Sequence, residues 1–469
     1  MNTPPLQLLH NRSFDEIAIG DSASLERTVT AADLQLFAVL SGDVNPQHLD
    51  AGFAAATRFH GVIAHGMFGG ALISAVLGTR LPGPGTIYLG QTLKFLAPVR
   101  IGDTLHVRVT VKAREPEHRR LTLTCQCLNQ QGQAVIEGEA EVIAPRERIE
   151  WQAGQLPEVR LSEGGAGLAR LLAAVRPLGA VRVAVVHPCD AVSLGAALEA
   201  RAAGLIEPVL VAPRSRLLVV AAEQGWDLAG IAIDDVPHSH AAAARAAALA
   251  GQGEVQALMK GSLHTDELMA AVLDAGAGLR TKRRASHCFL MQTPAYPRPF
   301  IITDAALNIA PTLEHKADIV RNAIELAQAI GVERPKVAIL AAVETVNAQM
   351  PATLDAAALC KMADRGQIAG AELDGPLAFD NAVSIAAARI KGIQSGVAGQ
   401  ADVLVVPDLE SGNMLAKQLE YLGGATSAGI VLGARVPIVL TSRADGAESR
   451  IASCALAVLL AHHYRSAPP

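Results

Sequence analysis

Thr104-Leu105-His106-Val107-Arg108-Val109-Thr110-Val111-Lys112 alternates polar and apolar residues without a break. Successive side chains of an extended strand point to opposite faces. Leu105, Val107, Val109 and Val111 therefore belong to a buried face, and His106, Arg108, Thr110 and Lys112 to a wet one. The pattern recurs downstream, where Ala134, Ile136, Gly138, Ala140 and Val142 alternate with Val135, Glu137, Glu139 and Glu141. From residue 86 to 143 the chain predicts strands with one face buried. Upstream, the small-residue apolar segment 64–80 carries Met67, Ala71, Ile73, Ser74 and Leu77, which predicts a helix buried on most sides.

One buried helix followed by a run of antiparallel strands is the order of an α+β hot-dog fold. Past residue 165 the character changes. Compact β-rich runs at 181–187, 255–259, 300–303, 337–341, 403–406 and 437–440 alternate with helical stretches at 191–203, 313–330, 381–391 and 414–422. This is the βα alternation of an α/β doubly wound sheet covered on both faces, long enough for two lobes with a cleft between them. The stretch 145–165 is polar, carries Pro and Gly, and reads as the seam. The predicted organisation is a hot-dog domain over 1–148, a linker over 149–164 and a two-lobed α/β domain over 165–469.

Composition narrows the partners. Half of the 469 residues are apolar and 18% are charged, so a large core is expected and global disorder is not. Aromatic residues make up 3% and the net charge is −5, which argues against stacking platforms for single strands and a basic footprint for duplex nucleic acid. A polyanionic ligand must be held by local clusters of Lys and Arg. The first residues, Met1-Asn-Thr-Pro-Pro, lack the regions of a signal peptide, and the longest apolar runs are too short to cross a bilayer. Six cysteines occur without a CxxC pair. Cys125 and Cys127 share one strand face and read as packed thiols, and a reduced cytoplasm is the expected setting, with no membrane partner.

Two short segments of the first domain carry chemistry. In Ser41-Gly-Asp43-Val-Asn45-Pro46-Gln-His48-Leu-Asp50 a carboxylate and an imidazole flank an Asn-Pro turn, which would bring an acid–base pair to one point. Taken alone, Asp-x-Asn-Pro reads as an Asx-turn beside a surface His. The second segment, Phe59-His60-Gly61-Val62-Ile63-Ala64-His65-Gly66-Met67, leads into the helix. Together the two resemble the MaoC-like (R)-specific enoyl-CoA hydratases over about residues 15–145. The resemblance implies that Asp43 and His48 form the catalytic dyad, with His48 the main proton acceptor. It also implies that Gly66 offers a backbone N–H to the thioester oxygen, that Asn45 and Ser74 contact substrate, and that His65 ties down the loop. Thioester hydrolysis on the same fold is the competing reaction.

The α/β part has no P-loop and no strand-linked GxGxxG, which leaves nucleotide triphosphate and NAD chemistry without support. Its basic residues cluster in Arg280-Thr-Lys282-Arg283-Arg284, either a site for the phosphates of coenzyme A or a solvated surface run. Pro407-Asp408-Leu-Glu-Ser411-Gly412-Asn413 opens a helix whose N-terminus would suit an anion or be capped by Ser411. With Leu258-Met-Lys260-Gly, Thr303-Asp304-Ala-Ala-Leu-Asn308 and Leu440-Thr-Ser442-Arg443-Ala-Asp445, these segments resemble the phosphate acetyl/butyryltransferase family over about 165–465, leaning toward its butyryl branch. The resemblance implies acyl exchange between coenzyme A and inorganic phosphate, with acyl phosphate as the other partner, no metal, and no cofactor beyond coenzyme A as substrate. Ser442 and Arg443 would be catalytic, and Lys260, Arg280, Arg283, Asn308 and Asn413 substrate-binding. The acetyl branch places an Asp six residues after the Arg, where this chain has Ser449; Glu448 is the candidate thiol base, against electrostatic activation by Arg443. A second reading makes this domain a non-catalytic acyl-CoA-sensing and assembly module. Either way a homo-oligomer is expected.

Overall fold

A computed structural model of the chain describes residues 8–152, 154, 159, 166–441 and 445–469. The chain divides into two compact units, Met1–Ser162 and Glu163–Pro469, each taken here by itself.

The first unit is the hot-dog fold. Strands β1 (Ser22–Thr28), β2 (Ile87–Phe95), β3 (Thr104–Glu115), β4 (Arg120–Leu128) and β5 (Ala134–Ile143) form one sheet in the order β1-β3-β4-β5-β2, antiparallel throughout. Helix α1 (Gly66–Thr79) packs on it through Ile73, Val76 and Leu77. The period-two reading holds residue by residue: Leu105, Val107, Val109 and Val111 are buried, and so are Cys125 and Cys127 on β4. Gly138 is required where β5 meets β2, because a Cβ there would stand 1.8 Å from the Thr92 carbonyl oxygen.

The expectation that α1 is buried on most sides is corrected. Its buried face is Gly69, Gly70, Ile73, Val76 and Leu77, while Met67, Ala71 and Ser74 form an exposed stripe at helical spacing. Within the unit the sheet covers one side of the helix, and the small residues on the other side gave no sign of which face would pack. The linker is corrected as well. Glu150–Gln152 pairs antiparallel with Leu8–His10, and Asn11 exchanges hydrogen bonds with Ile149 (N to O 3.2 Å, and Ile149 N to Oδ1 2.7 Å). Residues up to 152 thus belong to the first unit, because their backbone groups are satisfied there.

The second unit holds β6 (Val181–Val186), β7 (Ile206–Ala212), β8 (Ala232–Asp235), β9 (Ala257–Lys260), β10 (Ser286–Gln292), β11 (Phe300–Thr303), β12 (Lys336–Leu340), β13 (Glu372–Leu377), β14 (Val403–Val405), β15 (Thr426–Leu432) and β16 (Ile438–Val439). They make one 11-stranded sheet in the order β8-β7-β6-β9-β16-β15-β10-β11-β14-β12-β13. Two parallel wings, β8 to β16 and β11 to β13, flank a centre in which β16, β15, β10 and β11 run antiparallel. Helices cover both faces, as near-continuous burial of strands such as Val183–Val186 demands. The helix expected over 381–391 is broken into Phe379–Val383 and Ile385–Ile390, because Ser384 is extended and caps the second piece through the N–H of Ala387 at 3.2 Å.

Candidate functional site

In the first unit, helix Ala31–Ser41 ends at Gly42, whose φ of 75° turns the chain sharply. Asp43 follows, its Oδ1 accepting the N–H of Asn45 at 3.2 Å. The Asn45 side chain in turn caps the short helix Pro46–Leu49 through the N–H of Gln47 at 3.1 Å, a duty that leaves it outside the cavity wall. That helix carries His48, whose Nδ1 donates to the Ile63 carbonyl at 2.8 Å. A carbonyl can only accept, so the proton sits on Nδ1 and Nε2 is left as the basic nitrogen. A cavity of about 550 Å³ is lined by Asp43, His48, His65, Gly66, Phe37 and Phe95, among others. Gly66 opens α1, and the N-cap residue His65 makes no capping hydrogen bond with its side chain among the described residues, which suits an oxyanion at the helix N-terminus. A Cβ on Gly66 would meet Phe95 Cε1 at 2.8 Å.

Asp43, His48 and Gly66 thus meet at one cavity, and Ser74 does not. It lies eight residues along α1 from Gly66, about 12 Å by the helix rise, on the exposed stripe. Ligand-type atoms of Asp43, His48 and His65 lie within 4.8 Å of one another. Those donor types could also hold a divalent cation.

In the second unit a cavity of about 430 Å³ gathers Arg280, Lys282, Arg283, Arg284 and Asn308. The cations are not equivalent. Arg283 pairs with Glu325 at 2.6 Å, a carboxyl that burial pushes up and Arg283 partly restrains. Arg280 Nε donates to the Leu273 carbonyl. Arg284 is held by Asn308 Oδ1 and lies 3.2 Å from His315 Nε2. Asn308 is itself fixed through Nδ2 by Asp304 Oδ2 at 2.5 Å and the Ala285 carbonyl at 3.0 Å. The other oxygen of Asp304 accepts the N–H groups of Ala306 and Leu307, both at 2.9 Å. A buried carboxylate–carboxamide pair therefore aims a guanidinium at the cavity, the arrangement needed to recognise a phosphate. The sequence reading placed Arg284 in the basic run but did not single it out as substrate-binding; the signal was the Asp304 and Asn308 pair four residues apart.

The remaining expectations are scattered. Lys260 ends β9 beside a small separate hollow with Asp190, Ser193, Thr441 and Arg450. Asn413 binds the Ala305 carbonyl at 3.2 Å within helix α2 (Leu409–Tyr421). The anion site expected at the start of α2 is corrected: Asp408, not Ser411, caps it and takes the N–H of Ser411 at 2.8 Å, so a carboxylate already holds that place. Ser442 and Arg443 lie outside the described residues. Glu448, exposed in the first turn of helix α3 (Ala447–Ser466), lines a hollow with Gln292, Ala428 and Ser449, apart from the one that Thr441 and Lys260 share.

Residues 230–458 match the family described as Phosphate acetyl/butaryl transferase. A phosphate acetyltransferase of Rhizobium meliloti is 60% identical over 298 residues, 64% of this chain and 94% of that protein. The chain belongs to the phosphate acetyl/butyryl transferase family. A solved member-like fold, a branched-chain phosphotransacylase from Enterococcus faecalis, is 31% identical and covers 60% of this chain and 99% of its own, with a TM-score of 0.54. Ahead of the transferase part, residues 17–125 match the family described as MaoC like domain. The (R)-hydratase PhaJ1 of Pseudomonas aeruginosa is 46% identical over 33% of this chain and 100% of its own, with a TM-score of 0.33. The chain is therefore a fusion of a MaoC-like hot-dog domain with a phosphate acetyl/butyryl transferase domain.

Among the described residues, no helix of this transferase-family chain is long and apolar enough to cross a membrane.

Proposed function

We propose that the chain is a bifunctional enzyme of coenzyme A thioesters. Its first unit hydrates trans-2-enoyl-CoA to (R)-3-hydroxyacyl-CoA, and its second exchanges an acyl group between coenzyme A and inorganic phosphate. The observation that carries the first activity is the meeting of Asp43, His48 and Gly66 at one cavity. His48 Nε2 takes a proton from the water that Asp43 orients as the water oxygen bonds to the β-carbon and the π pair shifts toward the thioester. The N-terminus of α1 holds the resulting enolate oxygen, and the same proton passes from His48 through Asp43 to the α-carbon. Identity of 60% to a phosphate acetyltransferase supports the second activity, and supports acetyl over the butyryl group toward which the motifs lean. The same identity speaks against a sensing module without catalysis. Arg284, aimed by Asn308, binds a phosphate of coenzyme A, and Ser442 and Arg443 act on the acyl and phosphoryl oxygens. The chain is a homo-oligomer in this reading, because β2 is an edge strand exposing Ile87, Leu89 and Phe95. Its setting is the cytoplasm.

Both assays on the full-length chain test this, with C2 to C8 thioesters. Asp43→Asn and His48→Gln should each lower hydration by about 100-fold or more and leave acyl transfer intact. Arg443→Ala should do the reverse. Release of free coenzyme A in place of loss of the enoyl absorbance would turn the first unit into a thioesterase.

A further inference from the structure

His65 is 3% exposed and touches both members of the dyad. Its Nε2 lies 3.0 Å from the main-chain oxygen of Asp43. Its ring lies over the ring of His48, centroids 4.0 Å apart and planes tilted by 34°. Phe37 backs it at 5.0 Å. The Asp43 carbonyl can only accept, so the proton of His65 is on Nε2. Its Nδ1 is buried and meets no hydrogen-bond partner among the described residues. An N–H there would be an unsatisfied buried donor, so the surroundings fix the same tautomer twice over.

We infer that His65 is a positioning residue for the hydratase reaction, a clamp that fixes the Asp43 main chain by hydrogen bond and the His48 ring by stacking. The inference rests on the hydratase reading of this cavity. Asp43 is exposed and sits on a turn after Gly42, where its own side chain is engaged locally with the Asn45 N–H. The Asp43 N–H is also held by Ser41 Oγ at 3.2 Å, and neither of these contacts runs to His48. His65 links the two, because one rigid ring contacts both. Among the described residues the His48 ring has one hydrogen-bond anchor, through Nδ1, about which the imidazole can still swing. The stacked ring removes that swing and holds Nε2 toward the cavity. Loss of either contact leaves the groups present but misplaced, and a misplacement of about 1 Å lowers rate by about 100-fold.

The test uses the full-length chain with His65→Phe, which keeps a flat ring and loses the donor, His65→Gln, which keeps a donor and loses the ring, and His65→Ala, which loses both. With crotonyl-CoA, kcat should fall about 10-fold to 100-fold in the first two and further in the third, while KM stays within about threefold. Phosphate acyl transfer should not change. A kcat within about twofold of wild type in His65→Ala, or a rise in KM at constant kcat, overturns the clamp. If the wild-type chain hydrates no enoyl-CoA, the hydratase reading falls, and the clamp is judged from the His48 ring resonances of protein with 15N-labelled histidine. A shift of those resonances in His65→Ala upholds it, and unchanged resonances overturn it.

Discussion

Replacing His287 with leucine should make the second unit less sensitive to acid. His287 lies on β10 with none of its surface exposed, against Phe289 at 4.4 Å between ring centroids. Neither ring nitrogen has a hydrogen-bond partner among the described residues. Burial pushes the imidazole down to about 4, against the opposing pull of the Asp304 carboxylate. In the unfolded chain a histidine titrates near 6.5. As pH falls, the unfolded chain therefore takes up this proton first. The stability at stake is fully present above about pH 6.5 and is lost as pH falls toward about 4. Each pKa unit corresponds to about 1.4 kcal/mol, so the gap of roughly two and a half units amounts to about 3 kcal/mol. The chain has two tryptophans, Trp151 in the first unit and Trp226 in the second. Urea unfolding followed by Trp226 fluorescence in a Trp151→Phe background thus reports on the second unit. Between pH 7 and pH 4, the His287→Leu chain should lose about 3 kcal/mol less than its parent. Equal losses in the two chains would show that His287 protonates in place, and the argument from its burial would fail.

Two further outcomes are expected. Gly66→Ala would place a methyl group 2.8 Å from Phe95 Cε1 and force that ring into the cavity or α1 away from it, so crotonyl-CoA hydration should fall by about 10-fold to 100-fold with acyl transfer unchanged in parallel assays. Because Glu448 is exposed and apart from Lys260 and Thr441, Glu448→Gln should keep most of its acyl transfer from pH 7 to pH 9; a folded, inactive variant would make Glu448 the thiol base.

What could be read from the sequence followed from how local the deciding contacts are. Strand β3 was legible because burial of one face writes a period of two; Asp43 and His48 could be paired because only a short Asn-Pro turn separates them, while Gly66 came from the resemblance alone. Strand β10 was missed because Ser286 and His287 look polar, yet both are fully buried at the centre of the sheet. Strand β13 was missed for its Gly375-Pro376 pair, which reads as a turn and is tolerated on a strand at the sheet edge. Arg284 was indistinguishable from its neighbours until the sheet brought Asn308 beneath it. Ser74 lies on the exposed face of α1, a side that a helix made of small residues does not declare in the sequence.

The middle of the 11-stranded sheet also sets the order in which the second unit can be completed. Strands β15 and β16 come from residues 426–439, long after β9 and β10 in the chain, yet they lie between those two strands. Until they are made, the wing ending at β9 and the wing starting at β10 each present an open row of backbone donors and acceptors, and among the described residues no strand before residue 426 pairs with either row. The last strands close both at once, across more than 100 residues of intervening chain, which makes this a slow, late step in which a nascent protein is most open to pairing with the wrong neighbour. A chain that stopped short of residue 426 would lack the two strands that join the halves of this sheet.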